Sequence, residues 1–305
     1  MAAWLKFWNY RYMRNWLMFT LLTVPGLKMN AQTNQDICIL SLEQLKQAVT
    51  NGETFFIKVH AAENLIHHHE TAGLEEQFLK LQQASPDNVI GSVRVLTRLN
   101  KHNADKYKGY INQLLQQFEH GTSLKVQLTA LESLGKLGYN EPLPAIKAYA
   151  DTGNNGFKGM ACWILANSGA ETDENRLSEL LLSTLEIDYR YAAYALRFKA
   201  KTNALTTERL KNCLQTIKAD DAARVYVASS LFVHSKGVLK REVKAVLMSS
   251  YLHGETGQRY EVAEALGLGG NKKDLPELKK LLADENTDVR VAAANAILWV
   301  MHYNH

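Results

Sequence analysis

Residues 284–300 read DENTDVRVAAANAILWV. Polar capping residues lead into Asp-Val-Arg, and small and branched apolar residues then recur at helical spacing, the pattern of a helix that buries one face. Taking Arg290 as an anchor and walking backwards, comparable openings appear at Arg259 (GQRYEVAEAL), Arg224 (AARVYVASSL), Arg190 (DYRYAAYAL), Lys158 (GFKGMACWIL), Lys125 (SLKVQLTAL), Ser92 (IGSVRVLTRL) and Lys58 (FIKVHAAENL). The spacings are 31, 35, 34, 32, 33, 33 and 34 residues. A period of this length is the mark of stacked supersecondary units.

Each anchored helix follows another amphipathic segment. The first of these is expected to start at Ser41, where Gln44 three residues on completes a capping-box pattern. The others lie near residues 71–83, 104–118, 142–149, 174–185, 206–217, 238–248 and 275–282, with Gly, Asn and Asp between them as turn formers. The expected fold is therefore all-α, an α-α superhelix of about eight helical hairpins. The terminal unit resembles the second helix of a HEAT-like repeat, in the short variant also seen in bilin-lyase-type proteins. That resemblance implies a solenoid with a long concave surface, built mostly from the second helices, on which peptides, proteins or extended ligands bind.

The 305 residues divide into a leader, 1–31, and a repeat body, 32–305. The leader carries Lys6, Arg11, Arg14 and Lys28 and no acidic residue, so removing those four from the 35 basic residues leaves 31 against 31 acidic ones. A charge-balanced body argues against a nucleic-acid partner, whose phosphates call for a basic excess. Trp16 to Val24 (WLMFTLLTV) has the length of a signal-peptide apolar region and is too short to span a bilayer. Met29-Asn30-Ala31 offers cleavage before Gln32, and Met13 is an alternative start. The expectation is a periplasmic or secreted protein with no stable membrane span once the signal is removed. Three cysteines, Cys38, Cys162 and Cys213, form no disulfide framework, and no CxxC thiolate zinc pattern occurs.

Among chemistry-bearing residues, His60, Glu63 and His67 fall at i, i+3 and i+7 of one helix and so share a face, the geometry of an acid/base pair or a metal ligand set. The competing reading is a solvated histidine-rich helix end, since His67 to Glu70 stand where the hairpin turns before Gly73. The deoxyhypusine hydroxylases, HEAT-like metalloenzymes, use several His-Glu dipeptides; here His69-Glu70 stands alone, and neither metal nor cofactor is expected. Gly267, Gly269 and Gly270 (LGLGG) follow a helix and read as its C-cap, and no P-loop or nucleophile elbow is present. Lys158, Arg190, Arg224 and Arg259, with Tyr194, Tyr226 and Tyr260, form the expected contact surface for another protein or peptide, or for an anionic or carbohydrate ligand. Against it stands pairing of each cation with a neighbouring carboxylate, as Asp288 for Arg259. Binding or scaffolding without catalysis is the favoured function. An enzyme or accessory of carbohydrate use, with His60 and Glu63 as its working groups, is the alternative. A segment around the first anchor, FFIKVHAAENLIHHHETAGLEEQF, resembles modules found beside solute/sodium symporters in carbohydrate-using bacteria, which implies that setting and no more.

Overall fold

Sixteen apolar-periodic segments become sixteen α-helices among the described residues, which in the computed structural model are 33–154 and 156–303. They pair as α1 (Asn34–Asn51) with α2 (Phe55–His67), α3 (Leu74–Ala84) with α4 (Val89–Leu99), α5 (Ala104–His120) with α6 (Leu124–Lys136), and α7 (Pro144–Thr152) with α8 (Phe157–Ala166). The second half continues with α9 (Glu171–Glu179) and α10 (Glu186–Arg197), α11 (Ala204–Thr216) and α12 (Arg224–His234), α13 (Gly237–His253) and α14 (Thr256–Gly269), and α15 (Leu275–Leu282) and α16 (Thr287–His302). No strand occurs among the described residues, and the chain is an all-α helical-repeat solenoid. The leader lies outside the described residues.

Local chemistry sets the ends of these helices. Thr54, Asn103, Ser123, Asn203 and Asn286 each accept a backbone N–H in the first turn of the helix that follows, satisfying donors that a helix start leaves free. Gly73, Gly138 and Gly169 adopt φ of 74°, 74° and 82° where second helices return to first ones, a conformation that favours glycine. Two expectations need correction. The first helix begins at Asn34, not Ser41: Ser41 is fully buried mid-helix and donates its hydroxyl to the Ile37 carbonyl at 2.8 Å. In LGLGG only Gly270 is the cap, its N–H donating to the Leu266 carbonyl at 2.9 Å; Gly267 and Gly269 lie inside α14, and Gly267 serves another purpose. A Cβ on Gly267 would lie 2.9 Å from the Ala296 Cα, so this glycine lets α14 and α16 pack backbone to backbone.

The even-numbered helices form the inner layer, each packed against its even-numbered neighbours, and the series does not stop at α16, which packs against α14 on one side and against α1 and α2 on the other. Its two apolar faces explain how. Val289, Ala292, Ala293, Ala296, Ile297 and Val300 join the core of the preceding hairpins. Val291, Ala294 and Leu298 join Leu45, Val49, Val59, Ala62 and Leu65 of the first hairpin. The eight hairpins thus close into a ring. Each of Val291 and Leu298 is fully buried, contributing about 1.5–3 kcal/mol to that seam. Polar contacts add to it: Thr287 donates to Glu53 at 2.9 Å, and Nε2 of His68 donates to Oδ1 of Asn295 at 3.1 Å.

Candidate functional site: the interior of the ring

Closure converts the expected concave groove into an enclosed axis, and the inner helices point polar side chains into it. Glu63 on α2 takes a bidentate contact from Arg94 on α4, with Nε and Nη2 both 2.8 Å from its carboxylate oxygens, and a third bond at 2.9 Å from Arg98. On α6, Glu132 pairs with Lys136 at 3.0 Å and accepts from the Tyr194 hydroxyl of α10 at 2.7 Å. Arg197, also on α10, reaches two hairpins onward to an ion pair with Glu261 of α14, and its other nitrogen stands 3.8 Å from Glu264. Nδ1 of His60 donates to Asp288 of α16 at 2.9 Å. Apart from Glu132–Lys136 within α6, these bonds join helices that are not sequence neighbours, so one ionic and aromatic lattice runs along the axis.

Low dielectric makes the pairing consequential. Burial works to raise the Glu63 pKa, yet Arg94 and Arg98 outweigh it and hold the carboxyl well below the usual range. Glu132 is likewise brought down, against burial, to about 2 by Lys136 and Arg94. Glu264 differs: burial pushes its pKa up, and the nearby Arg197 does not offset this. His67 sits at the axial end of α2, where surrounding protein and Arg98 lower its pKa to about 4 even though its ring remains open to solvent.

His60, Glu63 and His67 do share the axial face of α2, close enough for their charges to act on one another. The bonds they make are to other helices, however. A carboxylate clamped by two guanidinium groups is a fixed anion, and its proton affinity is far below that of a general base near neutral pH. Among the described residues no group of three or more His, Cys, Asp or Glu is placed to hold a metal ion.

The expected contact residues divide between two places. Tyr194, Tyr226 and Tyr260 face the axis; Tyr194 packs edge-on to Trp163 and Tyr226, and Tyr260 lies 5.6 Å from the His60 ring. The cations Lys158, Arg190, Arg224 and Arg259 lie instead at the rim where the second helices begin. Most are engaged there. Arg224 donates to the carbonyls of Leu214 and Ile217, which end α11, at 2.7 and 2.8 Å. Arg259 binds both oxygens of Asp284, not Asp288, which is held by His60 instead. Arg290 similarly closes its own turn on the Asp284 and Glu285 carbonyls, and Arg190 pairs with Glu186. Arg224, Arg259 and Arg290 are hairpin clasps that tie the end of a first helix, or the turn after it, to the start of a second, whereas Arg190 pairs within its own helix. Trp163 is inter-repeat filler, fully buried with its ring against Gly135.

The lattice residues Arg94, Arg98, Glu132, Lys136, Arg197 and Glu264 were absent from the expected site. Their signal is visible afterwards: they are charged residues inside otherwise apolar second helices, where a solvated face is not needed. No curated protein matches the chain. Residues 111–197, from α5 to the end of α10, match the family model for HEAT repeats. That match, over three of the eight stacked hairpins, supports a HEAT-like repeat family for the chain.

Proposed function

We propose that the protein is an exported binding or scaffolding module for another protein or an extended ligand, without catalysis of its own. Ring closure supports a contact at the rim: the interior is taken up by its own lattice, while the rim where second helices begin exposes large apolar side chains. Phe56, Leu124, Leu182, Leu185 and Leu252 are 48–67% exposed at that edge, in turns 1, 3, 5 and 7 of the ring. Large apolar groups spaced along one edge suit a protein partner. Lys158 and Arg190 lie beside them as its polar contacts, with Arg224 and Arg259 fixing the turns that present it. Leucine-to-aspartate changes at 182 and 185 leave the core untouched and test the reading. Photocrosslinking from position 252 in native envelopes is expected to trap a partner with wild type and to lose it in the double variant; equal trapping by both sinks the rim assignment.

Export rests on the leader, with its basic start, nine-residue apolar stretch and Ala31 before Gln32. Fractionation with N-terminal sequencing is expected to find a chain beginning at Gln32 outside the cytoplasm. The carbohydrate-linked enzyme alternative, with His60 and Glu63 as acid and base, is disfavoured by the clamp on Glu63.

A further inference from the structure

Between α5 and the turn that leaves α6 lies a cavity of about 420 Å³, a size within the range of small-molecule sites. It exists because neighbouring outer helices differ in length. α5 has 17 residues and α7 nine, so α7 is too short to cover the whole flank of α5. Tyr107, Ile111 and Leu115, at i, i+4 and i+8, form one row of the uncovered face, and Lys108 and Asn112 form the row beside it. The opposite wall is the turn from Gly138 to Glu141.

Hydrogen bonds fix that wall. Gly138 takes φ 74°, and the Tyr139 N–H donates to the Leu134 carbonyl at 3.0 Å. Nδ2 of Asn167 then donates to the Gly135 and Tyr139 carbonyls, both at 3.1 Å. The Tyr139 side chain is buried, and its hydroxyl donates to Glu141 at 3.2 Å. Burial and the Glu141 carboxylate raise the Tyr139 pKa, so the proton stays in place. A site shaped before its ligand arrives loses little to ordering on binding.

The lining sets the chemistry of the ligand. One cation, Lys108, and one anion, Glu141, leave the cavity without net charge. The Tyr107 hydroxyl and the carboxamides of Asn112 and Asn140 make no side-chain hydrogen bond among the described residues, and each can both donate and accept. Both asparagines are exposed at the mouth, whereas Ile111 and Tyr139 are buried as its floor. This combination matches a polyhydroxylated ring, whose hydroxyls also donate and accept and whose C–H face is apolar. An apolar compound would leave the carboxamides without partners, and an amino acid would engage the two charges and leave three uncharged groups idle. We propose that the cavity is a binding site for a neutral sugar of one or two rings, its hydroxyls bonded to Asn112 and Asn140 and its C–H face against the tyrosine rings.

Saturation-transfer NMR of the full chain with glucose, galactose, maltose and cellobiose, against glutamine and hexanediol at the same concentration, tests this site. Saturable transfer to the ring protons of at least one sugar is expected, with little to either control. The Asn112→Ala/Asn140→Ala variant should bind that sugar about tenfold or more weakly at an unchanged melting temperature, since both side chains are exposed. The rim reading stands apart, because Leu182 and Leu185 precede a second helix and this turn follows one, so either can fail alone. No transfer to any of the sugars, equal transfer to glutamine or hexanediol, or undiminished sugar binding by the double variant would each overturn the proposal.

Discussion

Nδ1 of His60 in the first hairpin lies 2.9 Å from Oδ1 of Asp288 in the last, across 228 residues of sequence. That contact sits beside Val291, Ala294 and Leu298, which the two hairpins bury between them. The seam is therefore a core and not a surface touch. Ala294→Asp places an unpaired carboxylate in it and is expected to lower stability by about 3 kcal/mol or more, read as a fall in the urea midpoint. Small-angle scattering of this variant should show an expanded particle with its helix content largely kept.

The clamp on Glu63 gives a second expectation. Arg94 has 4% of its side chain exposed, so Glu63→Gln leaves a buried guanidinium short of its counter-ion, at a cost of about 3–5 kcal/mol. Adding Arg94→Met should recover part of that loss. A double-mutant cycle from chemical denaturation gives the coupling, and additive losses would contradict the clamp.

Acid should weaken the fold in two windows. Burial and Arg98 lower the His67 pKa from 6.5 to about 4, and burial lowers His68 and His234. The unfolded chain takes up these protons first, so stability is full above pH 6.5 and declines as the pH falls toward about 4. Below this the carboxylates follow: Glu132 contributes stability above pH 4.5 that is lost as pH falls to about 2. Melting temperatures of wild type and of His67→Gln/His68→Gln between pH 7 and 5 separate the two, the variant being the flatter.

Thiol chemistry offers a simple check on burial. Cys162 and Cys213 are buried, which pushes their pKa values up to about 11 and about 12, while Cys38 is partly exposed. A thiol reagent at neutral pH should modify Cys38 in the native protein and all three only in denaturant. Rapid native labelling of Cys162 or Cys213 would mean that the inner layer opens readily.

Much of this architecture was legible in the sequence, because small apolar residues at Ala61-Ala62, Ala192-Ala193 or Ala293-Ala294 recur with one period and local physics fixes a helix at each. Helix starts that depend on tertiary burial were not: Ser41 carries a capping signature yet lies mid-helix, its hydroxyl satisfied by Ile37. Ring closure left one trace that went unread. An open stack needs a polar face on a terminal hairpin, and in the VRVAAANAILWV of α16 only Arg290 and Asn295 are polar. The axial lattice was harder to see, since which charges meet depends on side chains from hairpins two or more repeats apart, as with Arg197 and Glu261.

Closure also restricts how such a chain can change over evolution. An open array tolerates duplication or loss of a single unit, because either leaves two free ends. Here a ninth hairpin would push α16 away from α1 and α2 and separate His60 from Asp288. Hairpin number is thus fixed by geometry, and variation should accumulate in the lengths of the rim turns instead.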